Sequence, residues 1–242
     1  MSSKQPTPAR PSEQDVQTYG FKLPFRCQIC AATGYGKNRF LEEQLMPFLV
    51  RQFDQCILIA PTRTRHQDSW KRLQKLWTDR NGTCWFHIID ETGLDAMAAK
   101  CDEIVARAKL KTLLILDDMQ QHEAHWPWLE EVFRSGRHDD ISIISMTQSA
   151  FVNRKNRLNL QYLCAGGFLS RDEMYRIFQQ RSGPHTQCRE KLNYAYEKIT
   201  DRDRTFPNPP GFLVLDFVST KASELRGRDT ALNCVIPQLA DC

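Results

Sequence analysis

The sequence predicts an α/β protein, a three-layer sandwich with helices on both faces of a mostly parallel sheet. Three observations lead there. Short runs that are apolar throughout recur along the chain, which is the pattern of strands buried on both faces. Amphipathic or helix-rich stretches separate the first five of these runs, and right-handed crossovers then place the helices on both sides. The 242 residues, 41% hydrophobic and 26% charged, suit one sizeable globular domain.

Strands are expected at 25–33, 56–61, 85–90, 112–117, 141–147, 162–166 and 212–217. Helices are expected at 37–51, 67–78, 94–109 and 127–135. Residues 1–20 carry Ser, Pro, Gln and Lys with almost no apolar content and read as a flexible arm. The remainder, 21–242, reads as one domain, with a core at about 25–169 and a C-terminal elaboration over 170–242. Within that elaboration 170–180 and 185–199 look helical, broken by Ser182-Gly183-Pro184, and a Pro-rich loop at 205–211 precedes the last strand. The charged tail beyond it carries no readable pattern.

The net charge of +4 permits a polyanionic partner without demanding one. No apolar run approaches the roughly 20 residues that span a bilayer, and the polar start lacks a signal-peptide core, so a cytosolic or nuclear protein is expected. Nine cysteines are an odd number in a long chain, which argues against a disulfide framework. Cys27 and Cys30 form a C-x-x-C, but they lie in an expected strand, where positions three apart face opposite ways. No second Cys or His pair completes a zinc set, so they are read as buried free thiols.

The strongest local feature is Ala31-Ala32-Thr33-Gly34-Tyr35-Gly36-Lys37-Asn38. A strand runs into it and a helix runs out, the context required of a phosphate-binding P-loop. Gly34 and Gly36 let the backbone curl its N–H groups around phosphate oxygens, and the helix adds its positive end. Lys37 supplies a point charge for the β- and γ-phosphates of ATP. Two positions depart from the pattern: Ala31 replaces the first Gly, and Asn38 stands where Ser or Thr would hold Mg2+. An amide oxygen can ligate a hard cation, so Asn38 remains a candidate metal ligand. The alternative is a Gly-rich turn that merely opens a helix.

About 80 residues downstream, Thr112-Leu113-Leu114-Ile115-Leu116-Asp117-Asp118 is an apolar strand ending in two carboxylates, the form of a Walker B element. Asp117 is the candidate Mg2+ holder, directly or through water, and Asp118 the candidate acceptor of the attacking water's proton. Capping of a turn is the plainer reading of both, weakened by the P-loop upstream in the expected order. A third run, 141–148, places Gln148 at its tip, where additional-strand P-loop ATPases carry a polar γ-phosphate sensor, with Thr147 as an alternative. Arg134 and Arg137 flank Gly136 in what reads as a polar loop, and either is a candidate arginine finger or simple surface charge.

Taken together, Ala32-Thr33-Gly34-Tyr35-Gly36-Lys37, Leu116-Asp117-Asp118-Met119 and Gly136-Arg137-His138 with Thr147-Gln148-Ser149-Ala150-Phe151 resemble the FtsK/HerA-type genome-packaging ATPases of DNA viruses. The most similar branch is the poxvirus-like one, which also occurs in giant viruses, virophages and related transposons. The resemblance covers about 25–169 and implies a RecA-like core in a homo-oligomeric ring that drives double-stranded DNA into a capsid. It further implies capsid or portal partners, no membrane span, and a place in the host cytoplasm or nucleus or with the virion. By it Ala32, Thr33, Gly34, Tyr35, Gly36, Lys37 and Asn38 bind ATP, Asn38 and Asp117 hold Mg2+, and Asp118, Gln148 and Arg137 serve catalysis.

DNA contact without sequence readout is expected of two basic stretches. One holds Arg63, Arg65, His66, Lys71, Arg72 and Lys75, and the other Arg154, Lys155 and Arg157; solvated helix faces explain either equally well. Trp70, Trp77, Trp126 and Trp128 suit core or interface better than base stacking. A nucleotide-binding structural or regulatory subunit with little hydrolysis is the main competing reading, followed by a replication helicase of the same core. A nucleoside kinase would lack the Asp117-Asp118 pair.

Overall fold

The computed structural model describes residues 21–61, 68–81, 86–90, 93–106, 110–123, 125–150, 158–167, 211–217, 227–229 and 234–235, with isolated positions at 156, 170, 172, 173, 176, 196, 197 and 200. All seven expected strands form: β1 (Arg26–Cys30), β2 (Gln55–Ala60), β3 (Phe86–Asp90), β4 (Thr112–Asp117), β5 (Ile141–Thr147), β6 (Tyr162–Ala165) and β7 (Leu213–Asp216). β8 (Gly227–Asp229) and β9 (Cys234–Val235) arise in the tail, which the sequence left unassigned. The nine form one sheet in the order β3-β2-β4-β5-β1-β6-β7-β8-β9. β1 to β6 pair in parallel, and β7, β8 and β9 add antiparallel at one edge. This is an α/β sandwich of the RecA-like P-loop class.

Four longer helices match the sequence pattern. α1 (37–49) and α2 (Asp68–Asn81) cover one face; α3 (Leu94–Ala106) and α5 (Pro127–Ser135) cover the other, and α4 (Gln120–Glu123) is a single turn after β4. One core joins Phe40, Leu45 and Leu49 of α1 and Trp70 and Trp77 of α2 to Ile29, Leu58, Ile115 and Ile144 of the sheet. The other joins Met97, Cys101, Leu129 and Phe133 to Ile57, Leu114, Leu116 and Ile143. Successive strand residues thus feed opposite cores, which is why these strands read apolar throughout.

Residues 41–45 of α1 form a π turn between α-helical segments. Pro47 sits just beyond it; proline has no N–H to donate four residues back, and its ring crowds that carbonyl, so the helix widens there. Of the expected C-terminal helices, residues 172, 173, 176, 196 and 197 are helical, as is 200 just beyond them; Ser170 is not helical, and the rest of 170–180 and 185–199 lies outside the described residues. So do the arm 1–20, Arg63, Arg65, His66, Arg154, Lys155 and Arg157. Among the described residues no helix is long and apolar enough to cross a membrane.

Candidate active site

β5 lies between β1 and β4. Parallel pairing brings the C-terminal ends of all three to one edge of the sheet: Cys30 stands beside Thr147, and Asp117 beside Met146. The sequence elements at 31–38, 117–118 and 147–148 therefore meet along three adjacent strands. Ligands of open α/β sheets collect at such an edge.

The phosphate loop turns through two left-handed glycines, Gly34 at φ 78° and Gly36 at φ 113°. Ala31 donates its N–H to Thr147 O at 3.2 Å, and Tyr35 donates to Ala32 O at 3.2 Å. Lys37 Nζ donates to Ala31 O at 2.8 Å, which folds the ammonium back across the loop. Partial burial lowers the Lys37 pKa, while Asp118, Cys30 and Asp117 oppose that shift. Both carboxylates therefore act on this lysine. Asn38 Nδ2 donates to Ser69 Oγ at 3.3 Å, tying the start of α1 to the first turn of α2.

Tyr35 is a structural anchor. Its ring is buried, its hydroxyl donates to Gly211 O at 2.9 Å, and it meets Phe212 edge-on at 5.4 Å between centroids. Gly166 and Gly167, just past β6, make room for it: a Cβ on Gly167 would lie 2.4 Å from the Tyr35 ring. The role of Tyr35 in the loop thus rests on its backbone and on how its ring seats the loop.

Asp117 ends β4 and is buried; Asp118 follows at φ 53°, a left-handed conformation that Asp tolerates, and donates its N–H to Met146 O at 3.0 Å. Gln148 Nε2 donates to both oxygens of Asp118, at 3.2 and 3.3 Å. Thr147 points elsewhere: it is fully buried, accepts from Gln28 Nε2 at 2.7 Å and donates to Ser149 O at 2.9 Å. Of the two sensor candidates, Gln148 is the one that faces the carboxylate.

The residues present suit Mg2+. Asp117 and Asn38 offer hard oxygen donors, and Mg2+ on a nucleotide ordinarily takes one or two protein ligands and completes its shell with phosphate and water. Among the described residues no group of three or more His, Cys, Asp or Glu is placed to hold a metal ion.

Arg134 and Arg137 are not in an open loop. Arg134 lies in the last turn of α5, exposed and paired with Glu131; Arg137 is exposed on the 3-10 turn Gly136–Asp139 that leads into β5. Arg26 braces this turn from below, donating to Phe133 O at 2.9 Å and Val132 O at 3.3 Å and so capping the carbonyls at the end of α5. Arg137 stands at the opposite end of β5 from Gln148. Seven strand residues separate them, about 23 Å at 3.3 Å per residue.

The sequence did not single out Gln28, Gln120, Glu123 or Glu173. Gln148 N donates to Gln120 Oε1 at 3.2 Å, and Glu173 accepts from Ala150 N at 3.0 Å and Ser149 Oγ at 3.1 Å. Glu123 is buried in α4, where it accepts from Ser145 Oγ and where burial raises its pKa. Cys27 and Cys30 are buried free thiols, with Cys27 Sγ 3.7 Å from Cys164 Sγ and burial pushing Cys30 up to about 12. Trp70, Trp77 and Trp126 are core residues, and half-buried Trp128 donates to Asp102 at 2.7 Å.

The family model described as Poxvirus A32 protein matches residues 17–187, more than two thirds of the chain. The chain belongs to the poxvirus A32 protein family. No curated protein matches it by direct sequence comparison. Among solved structures, B204, the DNA-packaging ATPase of Sulfolobus turreted icosahedral virus, superposes on this A32-family chain with a TM-score of 0.59 at 15% identity, over 81% of this chain and 94% of that one. The genome-packaging NTPase B204 of Sulfolobus turreted icosahedral virus 2, in complex with ATP-γ-S, gives 0.56 at 14% identity over 81% and 94%. Its complex with AMPPCP gives 0.53 at 14% over 80% and 92%. At these identities the likeness is one of fold.

Proposed function

We infer that this A32-family chain is an ATP-hydrolysing motor that moves viral double-stranded DNA into a capsid. The observation that carries the reading is the single sheet edge on which β1, β5 and β4 place Lys37, Gln148 and the Asp117-Asp118 pair side by side. The family match and the fold shared with packaging NTPases support it.

The phosphate loop binds ATP through its backbone N–H groups, and Lys37 adds charge at the β- and γ-phosphates. Asp117 and Asn38 would hold Mg2+, which would neutralise charge on the phosphates. Asp118 accepts the proton of the attacking water. Gln148, anchored on Asp118, orients that water and registers the γ-phosphate. Arg137 lies too far from its own phosphate loop to serve it, so it completes the site of a neighbouring subunit in a ring. Lys71, Arg72 and Lys75 project from α2 as exposed cations suited to DNA phosphates, although Arg72 is also engaged by Glu42 at 2.5 and 3.0 Å. Capsid or portal proteins are the partners of such a ring, in the host cytoplasm or nucleus or on the virion.

Steady-state ATP hydrolysis with unrelated duplex DNAs tests this reading. Each DNA is expected to stimulate turnover alike, with stimulation falling steeply as salt rises and no turnover in Lys37→Ala. Wild-type turnover in Lys37→Ala, or stimulation by one sequence only, would refute it.

A further inference from the structure

Gln148 contacts Asp118 from a turn that lies beyond the end of β5, where no sheet pairing holds it. Its exposed side chain can keep one geometry only if the backbone of 147–150 is fixed. Side chains from three separate parts of the chain fix it: Gln120 accepts from Gln148 N, Glu173 accepts from Ala150 N and Ser149 Oγ, and Gln28 reaches in from β1.

Gln28 is the most telling of the three. It sits in the middle of β1, 6% exposed, between Cys27 and Ile29, which enter the core. A buried amide is costly unless its polar atoms are matched. Both donors of Nε2 are spent on the sensor turn, at 2.7 Å to Thr147 Oγ1 and 3.2 Å to Ser149 O. Thr147 Oγ1 closes the third side by donating to Ser149 O at 2.9 Å. Gln28 is also three residues upstream of Ala31, where the phosphate loop begins. One side chain therefore couples the strand that delivers the phosphate loop to the turn that delivers Gln148.

We propose that Gln28 is a positioning residue for ATP hydrolysis: it sets the sensor turn against the phosphate-loop strand, so that Gln148 meets the γ-phosphate and Asp118 together. The proposal rests on the ATPase reading above. The Gln28 amide donates to Thr147 and Ser149 on either side of Gln148, so its effect passes through Gln148.

The experiment compares Gln28→Glu, Gln148→Ala and their combination in the full chain. Gln28→Glu keeps shape but turns an oxygen toward Ser149 O, where a donor had been. Its kcat is expected to fall about 10-fold, the scale of losing a matched buried hydrogen bond, with KM and nucleotide affinity within about 2-fold. Added to Gln148→Ala, it is expected to cost less than about 2-fold more, since residues acting as a unit are non-additive. Thr147→Val, which removes the hydroxyl that Gln28 holds while keeping volume, is expected to show the same signature even if Gln28→Glu folds poorly. Unchanged kcat in both variants, a change confined to KM, or full additivity with Gln148→Ala would overturn the proposal. If the wild-type chain hydrolyses no ATP, the ATPase reading itself fails, and if Gln148→Ala and Lys37→Ala both hydrolyse it normally, the site assigned above fails; both differ from the failure of Gln28 alone.

Discussion

Asp117 and Asp118 are adjacent in sequence yet differ in surroundings. Asp117 is buried at the last position of β4, while Asp118 is less buried, turned by its left-handed backbone and held by the Gln148 amide. Asp118→Asn is expected to leave ATP binding near wild type and cut hydrolysis by roughly 10²-fold or more, the size of a lost general base. Asp117→Asn is expected to weaken the dependence on Mg2+ as well; titrating the cation in both variants checks the division, and equal effects on binding would contradict it. Glu123 makes a different prediction. Burial raises its pKa, so the folded state favours the protonated acid. Its contribution to stability is then greatest below the carboxylate pKa of the unfolded chain and is lost as pH rises through the higher folded value. Glu123→Gln, neutral at every pH, is expected to raise Tm at neutral pH, with the gain vanishing in acid. Thermal melts across pH decide it: a lower Tm at neutral pH would mean that the bond from Ser145 outweighs the burial penalty.

At the scale of elements, what the sequence made legible was whatever is repeated locally. β2, β4 and β5 read as strands because every residue is buried on one face or the other, so no alternation interrupts the apolar run. β8 and β9 escaped because two or three residues, Arg228 and Asp229 among them, carry no such pattern; β8 is placed by pairing with β7, and β9 by pairing with β8. The loop 31–38 and the pair 117–118 were legible as motifs, whereas Gln28 was not, because its partner Thr147 lies 119 positions away. The seat of Tyr35 was hidden in the same way: Gly166, Gly167 and Gly211 meet its ring and hydroxyl from more than 130 positions off. Gly167→Ala tests that seat. The added methyl would have to displace the Tyr35 ring, and overpacking of this kind costs roughly 1–3 kcal/mol. A lower Tm and weaker ATP binding are expected together, because the displaced ring is part of the phosphate loop; lost stability with unchanged ATP affinity would show that loop and seat are independent.

At the scale of the whole molecule, the sheet sets the proposed nucleotide site and the proposed arginine finger at opposite ends. The groups proposed to bind ATP gather where β1, β4 and β5 finish, and Arg137 stands on a braced turn where β5 begins. Arg26 caps the end of α5 beneath that turn, and Gly136 packs against Val132 and Ile141, so the backbone carrying Arg137 is firmly held although its side chain is exposed. A fixed, exposed arginine that cannot reach its own nucleotide suits a site shared between subunits. Fingers of this kind are worth about 10³–10⁵ in rate. Arg137→Ala and Lys37→Ala are each expected to abolish hydrolysis alone. Mixed, they create interfaces that pair an intact phosphate loop from one subunit with an intact Arg137 from the next, and part of the activity is expected to return. The recovered rate should peak near equal proportions, where such interfaces are most frequent. If the mixture stays inactive at every ratio while wild-type subunits assemble normally on duplex DNA, Arg137 does not act across an interface.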